Sequence, residues 1–147
     1  YASDPNVFQA NQFMGIILYK LGNYGLAIDL LKDSVGLAGE SYKDLPVLRT
    51  LARAYRDNRN FSDAESTYLQ VAAHPENYSS EVDYEELGDM FHLRATDLQD
   101  AAETERLQQR ALEYWSNALM VPGINPVKRE EIARKVNFTK KALQGDL

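Results

Sequence analysis

Small and large apolar residues recur along this chain in one spaced set, written three times. The first copy reads Met14-Gly15, Leu18, Gly22, Tyr24, Ala27, Leu31 and Ser34. A second reads Leu51-Ala52, Tyr55, Arg59, Phe61, Ala64, Tyr68 and Val71, and a third opens with Leu87-Gly88 and Phe91 and closes with Ala111, Trp115 and Ala118. Self-similarity of this kind marks stacked pairs of helices, each burying its apolar face against the next. Gly15, Ala52 and Gly88 fall midway along the first helix of each pair, and Ala27, Ala64 and Ala111 fall early in the second. Small side chains at these facing points allow close helix approach, while Leu, Tyr, Phe and Trp fill the space around them. The expected fold is therefore all-α, a row of three antiparallel helical hairpins followed by a capping helix.

Punctuation residues place the ends. Repeat one is expected over about residues 5–38, repeat two over 45–75, repeat three over 80–122 and the cap over 126–143, by helix start and stop signals. Gly22 ends the first helix in a conformation that glycine adopts readily, and Asn23 then caps the next. Arg59 replaces that glycine in repeat two, where Asn60 is the expected cap, with Asp63 completing an imperfect capping box. Pro75 and Pro122 stop the second helices of repeats two and three. Asp4-Pro5 and Asn125-Pro126 are both good helix starts, with Asn or Asp as cap and Pro in the first turn. Ile132, Val136, Thr139 and Leu143 then recur on one face of the last helix.

Two spacings depart from regularity. Gly15 to Ala52 is 37 residues, and the surplus is assigned to the loop Gly39–Asp44. From Gly88 to Ala111 is 23 residues, against 12 in each earlier repeat. The excess of 11 is about three helical turns, so an elongated second helix from Leu98 to Met120 keeps its buried face in phase.

Charge narrows the partners. The 147 residues carry a net charge of −6, distributed as −1 over residues 1–75, −8 over 76–125 and +3 over 126–147. A nucleic-acid-binding protein needs a clustered basic face, so nucleic acid is not an expected partner, and the basic C-terminal stretch reads as a solvated helix face. No apolar run approaches the length of a membrane span, the stretch around Gly15–Tyr19 reaching back only to Phe13. The absence of cysteine removes disulfides and thiolate metal sites and leaves the compartment open. An opening on Tyr1 rather than Met is expected of a processed product or a piece of a longer protein.

The repeated set resembles the tetratricopeptide repeat family over residues 8–122. Gly15, Gly22, Tyr24 and Ala27 match its signature in repeat one, which has Asn11 where Trp is usual. Leu51, Ala52, Tyr55, Phe61, Ala64 and Tyr68 match in repeat two. Tyr84, Leu87, Gly88, Phe91, Ala111 and Ala118 match in repeat three, with Trp115 at a large aromatic position. The 37-residue spacing is three longer than the family's period. The resemblance implies a right-handed superhelix whose first helices line a concave groove for peptides or extended segments. Carried over by position, the groove candidates are Gln9, Gln12, Ile16, Tyr19 and Lys20 in repeat one, Arg49, Arg53 and Arg56 in repeat two, and Glu85, Asp89 and His92 in repeat three.

Arg49, Arg53 and Arg56 lie at i, i+4 and i+7 and so share one helix face, as do Glu85, Asp89 and His92 on the next first helix. Three guanidinium groups on a groove make a receptor for the carboxylates of an acidic peptide or a free C-terminus. Alternatively the two stripes pair with each other, Arg49 with Glu85 and Arg53 with Asp89, as exposed ion pairs commonly do.

Catalytic chemistry has no constellation here. Only His74 and His92 are present and no cysteine completes a metal set, so no metal or cofactor is expected. His74 reads as an imidazolium at a helix C-terminus, and the run Glu81, Asp83, Glu85 and Glu86 as acids at a helix start, where the dipole favours them. Gly22 and Gly25 lack the strand and the Lys-Ser/Thr of a phosphate loop. The expected function is a non-enzymatic scaffold that binds an extended peptide of another protein in its groove. The alternative is self-association, as a homo-oligomer or as a packing module of a larger repeat protein. It would act through a first helix that is apolar on more than one side at Phe8, Phe13, Ile16, Ile17 and Leu18.

Overall fold

Seven α-helices and no strand are formed by residues 5–38 and 44–145, the residues that this computed structural model describes. They are α1 (Pro5–Lys20), α2 (Tyr24–Ala38), α3 (Leu45–Asp57), α4 (Phe61–Ala72), α5 (Ser80–Thr96), α6 (Ala101–Leu119) and α7 (Pro126–Leu143). The cap at Asp4 and the loop surplus at residues 39–43 lie outside the described residues. Asp44 lies within them, and its carboxylate accepts the Val47 N–H at 3.2 Å to cap α3.

The ends of α1 and α3 are built alike. Gly22 has φ +83°, its N–H bonds Tyr19 O at 3.0 Å, and the Asn23 N–H reaches back to Leu18 O at 2.8 Å. Arg59 repeats this with φ +66°: its N–H bonds Arg56 O at 3.0 Å and the Asn60 N–H bonds Tyr55 O at 2.8 Å. Both are Schellman turns. A missing glycine did not change the turn; an arginine was placed in the left-handed region, at a cost of about 1–2 kcal/mol for an L-residue.

Residues 1–71 and 72–147 form two compact units. In the first, α1 packs on α2, and both meet α3. Ile28 and Leu31 of α2 join Val47, Leu51 and Ala54 of α3 in a core flanked by Ile16, Tyr19, Val35 and Tyr55. Gly15 sits against Leu31, where a Cβ would come within 2.7 Å of Cγ. That close approach requires glycine.

In the second unit α6 packs on both α5 and α7. Gly88 of α5 faces Trp115 of α6 so closely that a Cβ would lie 2.3 Å from Cδ1 and Nε1 of the indole. Leu87, Phe91, Leu107, Ala111, Trp115 and Ala118 are buried around this crossing. Ahead of it, Asp83 is fully buried and accepts the Asn77 side-chain N–H at 2.9 Å. An acid expected to serve a helix dipole therefore also takes part in a buried polar pair.

The 11 extra residues of repeat three are shared between both helices. Compared with α3 and α4, three residues are added at the end of α5, one in the connection and seven at the start of α6. The expected helix from Leu98 instead starts at Ala101, because the Asp100 carboxylate accepts the Glu103 N–H at 3.1 Å and caps it. Seven residues are close to two whole turns, so the α6 face stays in phase. The lengthened part carries its own buried pair, Ala95 and Leu107. Asn125 caps α7 as its sequence suggested, accepting the Val127 N–H at 2.8 Å, and Ile132, Val136 and Thr139 form the buried face.

Candidate functional site

In the first unit the groove candidates differ in exposure, and Tyr19 of α1 meets Arg56 of α3. Gln9 and Lys20 are exposed, Gln12 is buried, and Ile16 packs against the core. The Tyr19 hydroxyl donates to Asp57 Oδ2 at 2.8 Å. Arg56 donates from Nε to Asp57 Oδ1 at 2.8 Å and from Nη1 to the Tyr68 hydroxyl at 3.0 Å. Burial, then the bond to Asp57 and its negative charge, push the Tyr19 phenol up to about 12 against the opposing charges of Arg56 and Arg53. Arg56 is thus engaged by the protein's own carboxylate and phenol, while Arg49 and Arg53 are half-buried on the same helix.

In the second unit the third stripe does converge, and it does so with α7. Lys135 Nζ lies 2.9 Å from Glu85 Oε2 and 2.9 Å from Asp89 Oδ1, and Lys128 Nζ lies 3.1 Å from Glu85 Oε1. Burial alone would pull the Lys135 ammonium down; the hydrogen bonds and charges of Glu85 and Asp89 outweigh it and raise it. Bonds to Glu131 and Glu85 likewise raise Lys128. The indole N–H of Trp115 donates to Asp89 Oδ1 at 3.1 Å, and the His92 ring lies 5.6 Å from the Trp115 ring.

Beside this cluster a pocket of about 380 Å3 opens. Asp89 and His92 line it from α5 and Trp115 from α6. Arg134, Lys135, Phe138 and Thr139 close it from α7. Nδ1 of His92 is shielded from solvent and has no hydrogen-bond partner among the described residues.

Sequence reasoning singled out Asp89 and His92 but took the basic C-terminal stretch as solvated and Trp115 as core only. The usable signal was the i, i+7 spacing of Lys128 and Lys135, which puts both on the face that a neighbouring acidic stripe can meet. The Glu76 N–H donates to His74 Nδ1 at 3.1 Å just beyond α4.

A different surface is apolar. Phe13, Met14 and Ile17 of α1 and Leu21 just after it are 50–75% exposed, and Leu26 of α2 is 53% exposed. Among the described residues no group of three or more His, Cys, Asp or Glu side chains is placed to hold a metal ion, and no helix is long and apolar enough to cross a membrane. No family model, no curated protein and no solved structure matches this chain.

Proposed function

We propose that this protein is a non-enzymatic interaction scaffold of the tetratricopeptide type, a right-handed array of helical hairpins that binds an extended segment of a partner protein. The observation that carries it is the pocket beside Trp115, where the groove candidates Asp89 and His92 stand at an open site walled in part by Trp115 and Phe138. Concave sites with apolar walls and a few placed polar groups are the usual form of ligand sites. Support also comes from the matched turns at Gly22 and Arg59, and from the matched close approaches of Gly15 on Leu31 and Gly88 on Trp115. Repeats of one sequence motif are expected to reuse one local construction.

A displayed library of random short peptides, panned against the whole protein, tests this. Selected peptides should bind in the micromolar range, about −8 kcal/mol, and should change the fluorescence of Trp115, the single tryptophan. Failure to enrich any peptide would refute the scaffold reading.

Self-association through α1 is the second reading, favoured by the exposed Phe13, Ile17 and Leu21. Sedimentation equilibrium of the wild type beside a Phe13→Asp, Ile17→Asp double variant decides it. A wild-type oligomer that dissociates in the variant supports it, and a monomer in both removes it.

A further inference from the structure

The stripe that reads as acidic in the sequence does not present an acidic surface at the pocket. Glu85 takes lysines from α7 on both oxygens, and its side chain is only 12% exposed. Asp89 receives Lys135 on both oxygens, at 2.9 and 3.2 Å, and the Trp115 indole N–H on one of them. Each carboxylate is therefore held by charge-assisted bonds, which are the stronger kind, with Lys128 shared between Glu85 and Glu131 at 3.1 Å each. Among the charged residues that line the pocket, Arg134 and Lys135 then stand against Asp89 alone.

Arg134 is the most exposed of these charged residues. Its side chain is 70% exposed, and its partner Glu130, one turn back, is 69% exposed. So exposed a pair contributes little and is readily exchanged for another carboxylate. A guanidinium also receives a carboxylate on two parallel N–H groups, which an ammonium does not. Next to it the walls are the rings of Trp115, His92 and Phe138, the last 59% exposed. The volume, about 380 Å3, is at the small end of the roughly 300–1,000 Å3 of ligand sites. It suits one large side chain rather than a nucleotide or a folded element.

Building on the scaffold reading above, we propose that the pocket takes an aromatic or large aliphatic side chain of the partner segment, and that Arg134 binds a carboxylate adjacent to that side chain. The selected segment is acidic with an apolar anchor, although the α5 stripe by itself would call for a basic one. Helix α7 shifts the preference by engaging the α5 carboxylates with its lysines and adding its own guanidinium at the pocket.

The test uses the full chain and a short, end-blocked peptide with one phenylalanine between two aspartates, titrated by Trp115 fluorescence. Comparison peptides replace the phenylalanine by alanine, or both aspartates by lysine. Each change should weaken binding at least tenfold. Arg134→Glu, at an exposed position that leaves the fold intact by circular dichroism, should reverse the order of the aspartate and lysine peptides. Equal binding of those two, or an order unchanged in Arg134→Glu, would overturn the proposal, as would no binding by any of the three. Library-selected peptides whose affinity is untouched by Arg134→Glu would overturn the pocket assignment and leave the scaffold reading standing. A library that enriches nothing would remove the scaffold reading itself.

Discussion

Replacing Gly88 by alanine tests the closest helix approach in the second unit. In an open helical position Gly→Ala stabilises by about 1 kcal/mol, because alanine loses less backbone entropy. At Gly88 the new Cβ would lie 2.3 Å from Cδ1 and Nε1 of Trp115 and 2.8 Å from Cγ. The indole is a rigid ring, buried to 2% exposure, and cannot swing aside as a flexible chain end would. Overpacking of this kind costs about 1–3 kcal/mol. If the ring retreats, its 3.1 Å bond to Asp89 is lost as well, about 0.5–1.5 kcal/mol. The net expectation for Gly88→Ala is a loss of about 0.5–3.5 kcal/mol after the propensity gain is subtracted. Gly36→Ala is the control: it lies in α2 with nothing within 4 Å of its Cβ position, and should gain up to about 1 kcal/mol. Urea unfolding followed by Trp115 fluorescence reads the first variant in its own unit, and far-ultraviolet circular dichroism reads the second. Opposite signs are the expected result. A Gly88→Ala protein as stable as the wild type, or stabilised like Gly36→Ala, would refute the close approach of α5 and α6.

Arg59, at φ +66°, should rank glycine at least as stable as arginine and valine least stable. A β-branched residue in that region loses more than about 1 kcal/mol, and a valine variant of wild-type stability in urea would contradict the turn. Trp115→Ala should lower stability by about 3–5 kcal/mol as a buried aromatic truncation; a loss below one would place the indole outside the core. The Tyr19 phenol ionises at about 12 in the folded protein against an ordinary 10.0, so between these values the folded state holds a proton that the unfolded chain has released. Stability present below pH 10 is thus lost as pH rises through 12. Tyr19→Phe should flatten that decline and remove one late-titrating phenol from an absorbance titration; an unchanged profile would refute the Asp57 contact. Removing residues 126–147 uncovers the part of α6 that α7 packs on and should promote aggregation, whereas a soluble fragment of equal stability would refute α7 as a cap.

Helix positions and the points of closest approach were legible because they are local or periodic. Gly15 and Gly88 stood out by their place in a repeated pattern, and each meets a large side chain of the next helix. Asn125-Pro126 and the Ile132–Val136–Thr139 face followed from capping chemistry and a 3.6-residue period, which act within a few residues. Where a local rule was broken, inference from sequence stopped short. Arg59 has no propensity for the left-handed region, yet the turn between α3 and α4 imposes it.

Charge partners could not be read that way. The sequence by itself determined that Glu85, Asp89 and His92 share a face, and that Lys128 and Lys135 share another. Only the tertiary structure decided that these two faces meet, with 50 residues between Lys135 and Glu85. An ion pair depends on which helices become neighbours, and side-chain periodicity carries no information about that. The same holds for the pocket beside Trp115, whose walls come from three helices. Its chemistry depends on α7 bringing its lysines to the α5 carboxylates, not on any one stretch of chain.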